Sequence, residues 1–563
     1  MPFDEISAGL DLLFQAGPLA WLLLGVTLGF VVGVLPGLST SNTAALLLPF
    51  SIGLPLESSL VLIVSIYAGA AFGGAVPAIL VNVPGETGSA VTALDGYPMA
   101  KRGEGGYAIG IARMASVLGG VISGIVVLLV LEPLGGLALK FGAREMFVVI
   151  LLGFVVASSI MGSNVRKGIL AGVLGLLLAT VGASPLTAQN RFTFDILDLY
   201  EGIPFLPALI GAFAISEMLL LAGSKDPTKP GGKIVGLGGI RQQLSDALRG
   251  VKTTLAHPVA VLRASSIGMF LGVIPGVGTS IANFVSYGLA KRQSKEPEQF
   301  GKGEPKGVIA SEACDNAVTS ATLVPTLTLG IPGSATMAVV LAAFYLQGIA
   351  PGPRVLVTNS AEVYAVVLAL LVASLLILPL GILLAAPLTQ ISRMPISFLV
   401  PGVVFVSLAG AFASRSSLFD VALTVIFGVV AYIMRLHGYP VIPLILGLIL
   451  GPLAEEYLLR GLTLGNDQMS YFFDSAVVNV LWFLLAAMVV YLVVSGRRDA
   501  VRRRRRAEGS GPAGPQLLEE PADRRVSTVS TTAGRPGPDG VTGERPADGA
   551  SPPSQAPDDR NAP

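Results

Sequence analysis

Residues 77–88, PAILVNVPGETG, place two prolines, two glycines, an amide, a carboxylate and a hydroxyl inside a strongly apolar region. Proline removes a backbone donor, and glycine permits backbone that other residues avoid. At membrane depth such backbone survives only where protein or a water-filled cavity covers it. The stretch has an echo at 325–336, PTLTLGIPGSAT. In both, a proline is followed by six residues, then Pro-Gly, then small polar residues. Two broken segments at corresponding places in two halves point to the substrate site of a secondary transporter.

The rest of the chain agrees with a membrane setting. Of 563 residues, 52% are hydrophobic and only 13% charged, unlike a soluble core. Apolar runs such as 117–131, 147–160, 363–384 and 477–494 approach the length of a bilayer span, and about 10–12 spans fit between Ala16 and Ser495 by that rule. The fold class expected is therefore an all-α polytopic membrane protein. The start, MPFDE, lacks the basic region of a signal peptide. The one cysteine, Cys314, excludes an internal disulfide framework and reads as a small buried residue. After Arg506 the chain is rich in Pro, Gly, Ser, Asp and Arg and is expected to be disordered. The arginine run just before it reads as an orientation signal touching anionic lipid; no nucleic-acid partner is expected.

Three anchors recur in order. GVLPG at 33–37 returns as GVIPG at 272–276, the opening stretch returns at 325–336, and GIPFLPALIG at 202–211 returns as GYPVIPLILG at 438–447. Loop charge then separates the copies. Residues 51–59 carry no Lys or Arg, whereas the corresponding 291–306 carry five; after the second anchor Lys101 and Arg102 face only Arg354. Basic loops stay cytoplasmic, so equivalent loops fall on opposite sides, the mark of an inverted repeat. The expected layout is a first inverted repeat (1–222), a cytoplasmic linker with a short surface helix at 240–255 (223–261), a second repeat (262–460), an extra span (461–496) and a basic tail (497–563). The N-terminus is placed outside and the C-terminus in the cytoplasm. Arg113, Arg144 and Arg393 read as span ends.

The first anchor continues into Ser39, Thr40, Ser41, Asn42 and Thr43 in one copy, and into Gly278, Thr279, Ser280 and Asn283 in the other. Broken helices followed by hydroxyls and amides offer free backbone N–H groups and side-chain donors, which suits a carboxylate without burying a full positive charge. Asn82, Pro84, Gly85 and Thr87 match Pro332, Gly333, Ser334 and Thr336 on the same logic. Helix packing by small residues is the competing reading. Asn82 and Glu86 face Gly330 and Ser334, so the halves are not equivalent, and a loop mouth is the alternative place for Glu86. Glu312 and Asp315 share a helix face, with Asn316 beside them. Carboxylates at membrane depth are costly and usually functional, so these three are the candidates for coupling a cation; an interfacial helix start paired with Lys306 is the alternative. His257 and His437 lack metal-ligand spacing. There is no phosphate loop, Gly-x-Ser-x-Gly elbow or His-Glu-x-x-His, so neither an ATPase nor a hydrolase is indicated.

The segments GVLPGLSTSNTAALLLPF (33–50), YAGAAFGGAVPAILVNVPGETGSAVTALDGYPMAKRGEGGYA (67–108), GVIPGVGTSIANFVSYGLAKR (272–292) and SEACDNAVTSATLVPTLTLGIPGSATMAVVLAAFYLQGIAPGP (311–353) resemble the large membrane subunit of tripartite tricarboxylate transporters, the TctA family. The resemblance covers about residues 5–495; the tail has no counterpart. It implies a bacterial inner-membrane permease with a small membrane subunit and a periplasmic solute-binding protein as partners. Tricarboxylates such as citrate, or related carboxylates, would be imported on a cation gradient. No cofactor is implied beyond the coupling cation, sodium or proton. A passive channel lined by the broken helices is the alternative from another class; a membrane-embedded enzyme lacks any catalytic constellation.

Overall fold

The computed structural model describes residues 2–35, 38–86, 88–160, 165–184, 189–223, 240–275, 277–384 and 396–490. Arg393, the whole of the expected basic tail and the end of the last span lie outside the described residues. The described chain is mostly helical. Its only strands are a two-residue antiparallel pair, Gly182–Ala183 with Asn190–Arg191. Arg191 of that pair makes a two-pronged ion pair with Glu455 at 2.7 and 3.0 Å. Among the described residues, eight helices are long and apolar enough to cross a bilayer, nine if one bent pair counts as a span. This is a multi-pass membrane protein. Several of the 10–12 apolar segments read from sequence are shorter helices, because prolines and left-handed residues stop them.

The first half runs α1 (Pro2–Leu13), α2 (Ala16–Gly33), α3 (Thr40–Leu47), α4 (Leu56–Gly73), α5 (Ala75–Val81), α6 (Ser89–Lys101), α7 (Gly105–Ala138), α8 (Ala143–Ile160), α9 (Val165–Leu178) and α10 (Phe205–Ala222). The second runs α11 (Ile240–Leu255), α12 (Pro258–Gly272), α13 (Gly278–Gln293), α14 (Pro305–Ala321), α15 (Leu323–Leu329), α16 (Ala335–Leu346), α17 (Ser360–Leu383), α18 (Ile396–Arg415), α19 (Leu418–Leu436) and α20 (Ile442–Leu464). A further helix, α21 (Ala476–Val490), follows. Helix α11 stands where the sequence suggests a surface helix, and it meets α12 at 78°.

Corresponding elements make corresponding contacts. Helix α2 packs on α4, as α12 packs on α14. Both interfaces are lined by glycine: Gly29 and Gly33 lie against the backbone of Ile66 and Ala70, and Gly268 and Gly272 against Cys314 and Val318. Small residues let helix backbones approach closely where no hydrophobic force drives them together. Helix α1 rests on α17, and α11 on α7. Helices α8 and α9 of the first half pack on α20 of the second, while α18 and α19 of the second pack on α10 of the first. The halves therefore interlock.

The breaks themselves match. Helix α5 ends with the N–H groups of Asn82 and Val83 donating to Pro77 O; α15 ends with Gly330 and Ile331 donating to Pro325 O. The capping residue is left-handed in both, φ 57° at Asn82 and 70° at Gly330. Glycine takes that conformation freely, and asparagine is among the few other residues that visit it. The mismatch noted in sequence is thus one backbone device built from two residues.

One arginine departs from its sequence reading. Arg113 marks no span end. It lies within α7, 0% exposed, with Nη1 donating to Phe72 O at 2.7 Å and the guanidinium 5.1 Å from the Phe30 ring centre. Arg144 does open a helix, α8. Cys314 is buried, as its type suggested.

A clasp joins the halves at one end. Asp95 of α6 is fully buried and accepts the N–H groups of Gly301, Gly303 and Glu304 at 2.8, 2.8 and 2.9 Å, and the Tyr287 hydroxyl at 2.8 Å. Arg102 adds bonds to Lys302 O and Gly303 O. At the matching place in the other half, Gln347 donates to Ser51 O at 3.4 Å.

Candidate functional site

The breaks surround a cavity of about 790 Å³. Helix α3 points its N-terminus at it. Ser39 caps that helix, its hydroxyl accepting from Asn42 N at 3.3 Å and lying 3.1 Å from Ser41 Oγ. From the second half, Ser334 caps α16 in the same way, accepting from Met337 N at 3.2 Å. Helix N-termini carry unsatisfied N–H groups and partial positive charge. Ser39, Thr40, Ser41, Asn42, Pro84, Gly85, Gly278, Thr279, Ser280, Ser334 and Thr336 all line the cavity. The first and second halves thus contribute hydroxyls to one space.

Other sequence candidates stand apart from that wall. Asn82 is exposed and serves the α5 cap. Pro332 and Gly333 are buried behind the lining, with Gly333 N donating to Thr326 Oγ1 at 3.2 Å. Thr87 lies outside the described residues. Asn283 is buried and donates to Asp315 Oδ1 at 2.7 Å.

Glu86 is not at a loop mouth: it lines the cavity and joins its two sides. Its Oε2 accepts from the Thr40 hydroxyl and its Oε1 from Thr279 at 3.4 Å. Next to it, Gly88 leaves the space where Thr279 Oγ1, Asn283 Nδ2 and Asp315 Oδ1 converge; a Cβ there would meet all three. Behind lies Glu312, accepting from Thr92 at 2.6 Å and Ser116 at 2.7 Å. Asn316 donates to Glu312 O at 3.1 Å, and its buried Oδ1 has no partner among the described residues. Glu312, Asp315 and Asn316 are 2–5% exposed. They sit inside the protein and not at an interfacial helix start, since α14 is buried along most of its length.

Sequence reading passed over the opposite wall. Glu217 of α10 and Arg435 of α19 form an ion pair, and Asn42 Nδ2 donates to Glu217 Oε2 at 3.2 Å. Arg435 is the cationic side chain among the lining residues. Phe213 also lines the cavity and lies in a π turn, Gly211–Ile215. Single π turns inside helices are frequent at functional sites. The available signal was an acid within the apolar run 205–222, the same intramembrane-acid rule applied to Glu312.

Residues 19–446 match the profile of the tripartite tricarboxylate transporter TctA family. An uncharacterized 52.8 kDa protein in the TAR-I ttuC' 3' region of Agrobacterium vitis is 35% identical over 501 residues, covering 88% of this chain and 98% of that protein. An uncharacterized protein in the TAR-II ttuC' 3' region of the same organism is 33% identical over 237 residues, covering 42% of this chain and 98% of that protein. No solved structure matches. The profile covers both sets of breaks and every lining residue of the cavity, and the chain belongs to the tripartite tricarboxylate transporter TctA family.

Proposed function

We propose that this chain is the permease subunit of a binding-protein-dependent secondary transporter that imports a tricarboxylate or related carboxylate, driven by a sodium or proton gradient. The observation that carries the reading is the cavity. It is lined from both halves by hydroxyls and capped helix ends, with a paired arginine on its far wall. Backbone N–H groups and hydroxyls suit a carboxylate, and Arg435 offers a full charge to a second one. The two halves enter the membrane in opposite senses, and rocking of one against the other opens the cavity to each side in turn. Glu312, Asp315 and Asn316 tie the coupling cation to that movement. Mirrored packing of the halves and the exchanged loop charges support the inverted arrangement. The small membrane subunit and periplasmic solute-binding protein belong to this reading, as does placement in a bacterial inner membrane with the C-terminus in the cytoplasm.

The test is uptake of a panel of mono-, di- and tricarboxylates into proteoliposomes holding the chain and both partners, with sodium and pH varied separately. Accumulation against a gradient, abolished by an ionophore, is expected. Downhill flux alone would instead favour a channel. The double variant Ser41→Leu, Thr279→Leu fills the cavity from both halves and should lose substrate binding; normal affinity would refute the site.

A further inference from the structure

We propose that Glu86, in front of the Glu312–Asp315–Asn316 group, is the carboxylate that links the cation to the substrate, a resident anion that competes with the substrate's carboxylate for the Thr40 and Thr279 hydroxyls until a monovalent cation neutralises it. The inference rests on the carboxylate reading above. Thr40 opens α3 of the first half, Thr279 lies in the first turn of α13 of the second, and Glu86 accepts from both. These are the donors that an incoming carboxylate would use, and the chain's own carboxylate already holds them. Gly85 helps set that position: its N–H donates to Gly74 O at 3.2 Å, and it is buried where a side chain would run into Gly74 and Gly33.

Two full negative charges on one set of donors repel. A proton on Glu86 removes its charge and makes one of its two oxygens a donor, which weakens its hold on the threonines and lets the carboxyl itself donate to substrate. A sodium ion would neutralise the charge while bridging two carboxylates. Either way one cation enters for each substrate held and leaves with it when the cavity opens to the other side. The groups facing Glu86 favour cation entry. Asp315 and Glu312 of α14 lie close enough to interact with it electrostatically, and the neutral phenol of Tyr67 on α4 lies nearby. Arg113 sits beyond, near Glu312, and Arg435 is already paired with Glu217.

The experiment uses the full-length chain with its small membrane subunit in lipid nanodiscs and radiolabelled citrate as the first probe, with the carboxylate panel behind it. Kd is measured against pH without sodium, and against sodium at fixed pH. In the arm that identifies the cation, the magnitude of the negative slope of log Kd against log cation concentration should shrink by about one in Glu86→Gln, since linkage counts the cations taken up with substrate. Glu86→Asp keeps the charge and should keep the slope. Unchanged slopes in Glu86→Gln overturn the inference and leave the transporter reading standing. The wild-type protein provides a second check that needs no variant. Binding of a fully ionised carboxylate must take up a proton or a sodium ion, and uptake of neither also overturns the inference. If the wild type binds no carboxylate at all, the functional reading fails and this inference fails with it.

Discussion

Gly88 has no room for a side chain. A methyl there would run into Asp315 Oδ1 and lie 2.9 Å from Asn283 Nδ2 and 3.0 Å from Thr279 Oγ1. Gly88→Ala should therefore cost about 1–3 kcal/mol of stability by overpacking, and pull Thr279 off Glu86. Thermal unfolding and carboxylate binding measured together check this, and a fully stable, fully binding variant would contradict the described geometry. Asn82 gives the opposite expectation. Its left-handed φ and exposure make it a cap, so Asn82→Gly should keep substrate affinity, whereas Asn82→Val should lose about 1–2 kcal/mol of stability. A loss of affinity in the stable Asn82→Gly protein would return the side chain to the binding wall. At this scale the sequence was legible where two copies could be compared. Ser39 to Asn42 and Gly278 to Ser280 fall on one cavity because both follow the same break. It was not legible where a partner lies on a distant helix. Nothing near Glu217 or Arg435 in the chain says that they meet, and Arg113 looked like a span end because its aromatic and carbonyl neighbours come from α2 and α4.

The element that ties the molecule at one end is α6. Its Asp95 gathers three backbone N–H groups of the loop between α13 and α14 together with the Tyr287 hydroxyl. Hydrogen bonds to a charged acceptor are worth about 1.5–3 kcal/mol, and orphaned buried donors add to the loss. Asp95→Ala should free residues 301–304, speeding amide exchange there about a hundredfold while the α2–α4 interface stays protected. Uniform loosening of the whole protein would mean that the clasp is not local. The matching contact in the other half, Gln347 to Ser51 O, is a single neutral bond, so the two ends of the interlock differ in strength. Broken helices and their order could be read from the prolines. This difference could not, because Asp95 sits in a segment whose sequence looks like an ordinary helix approaching a loop.

At the scale of the whole molecule the pairing of α2 with α4 and of α12 with α14, and the cavity between the halves, bear on orientation. If the halves are inserted in opposite senses, single cysteines at Leu54 and Gln293 react with an impermeant thiol reagent from opposite sides of the membrane. Reaction of both from one side would end the inverted arrangement. Cys314 is fully buried, so it should contribute little background. Repeated anchors and loop charge made the pseudo-symmetry readable. The interlocking of α8 and α9 with α20 was not, since it joins segments with no shared motif.

That interlocking sets an order on synthesis. Helices α8 and α9 leave the ribosome long before Ile442–Leu464 exists, and until then the surface meant for α20 faces lipid or another protein. The first half therefore lacks part of its packing until the second half is made. A chain cut short before α20 would present an unfinished helix hairpin, the kind of exposed surface that delayed partners leave open to misassembly and degradation. The last long helix of the second half is therefore also the step that completes the first.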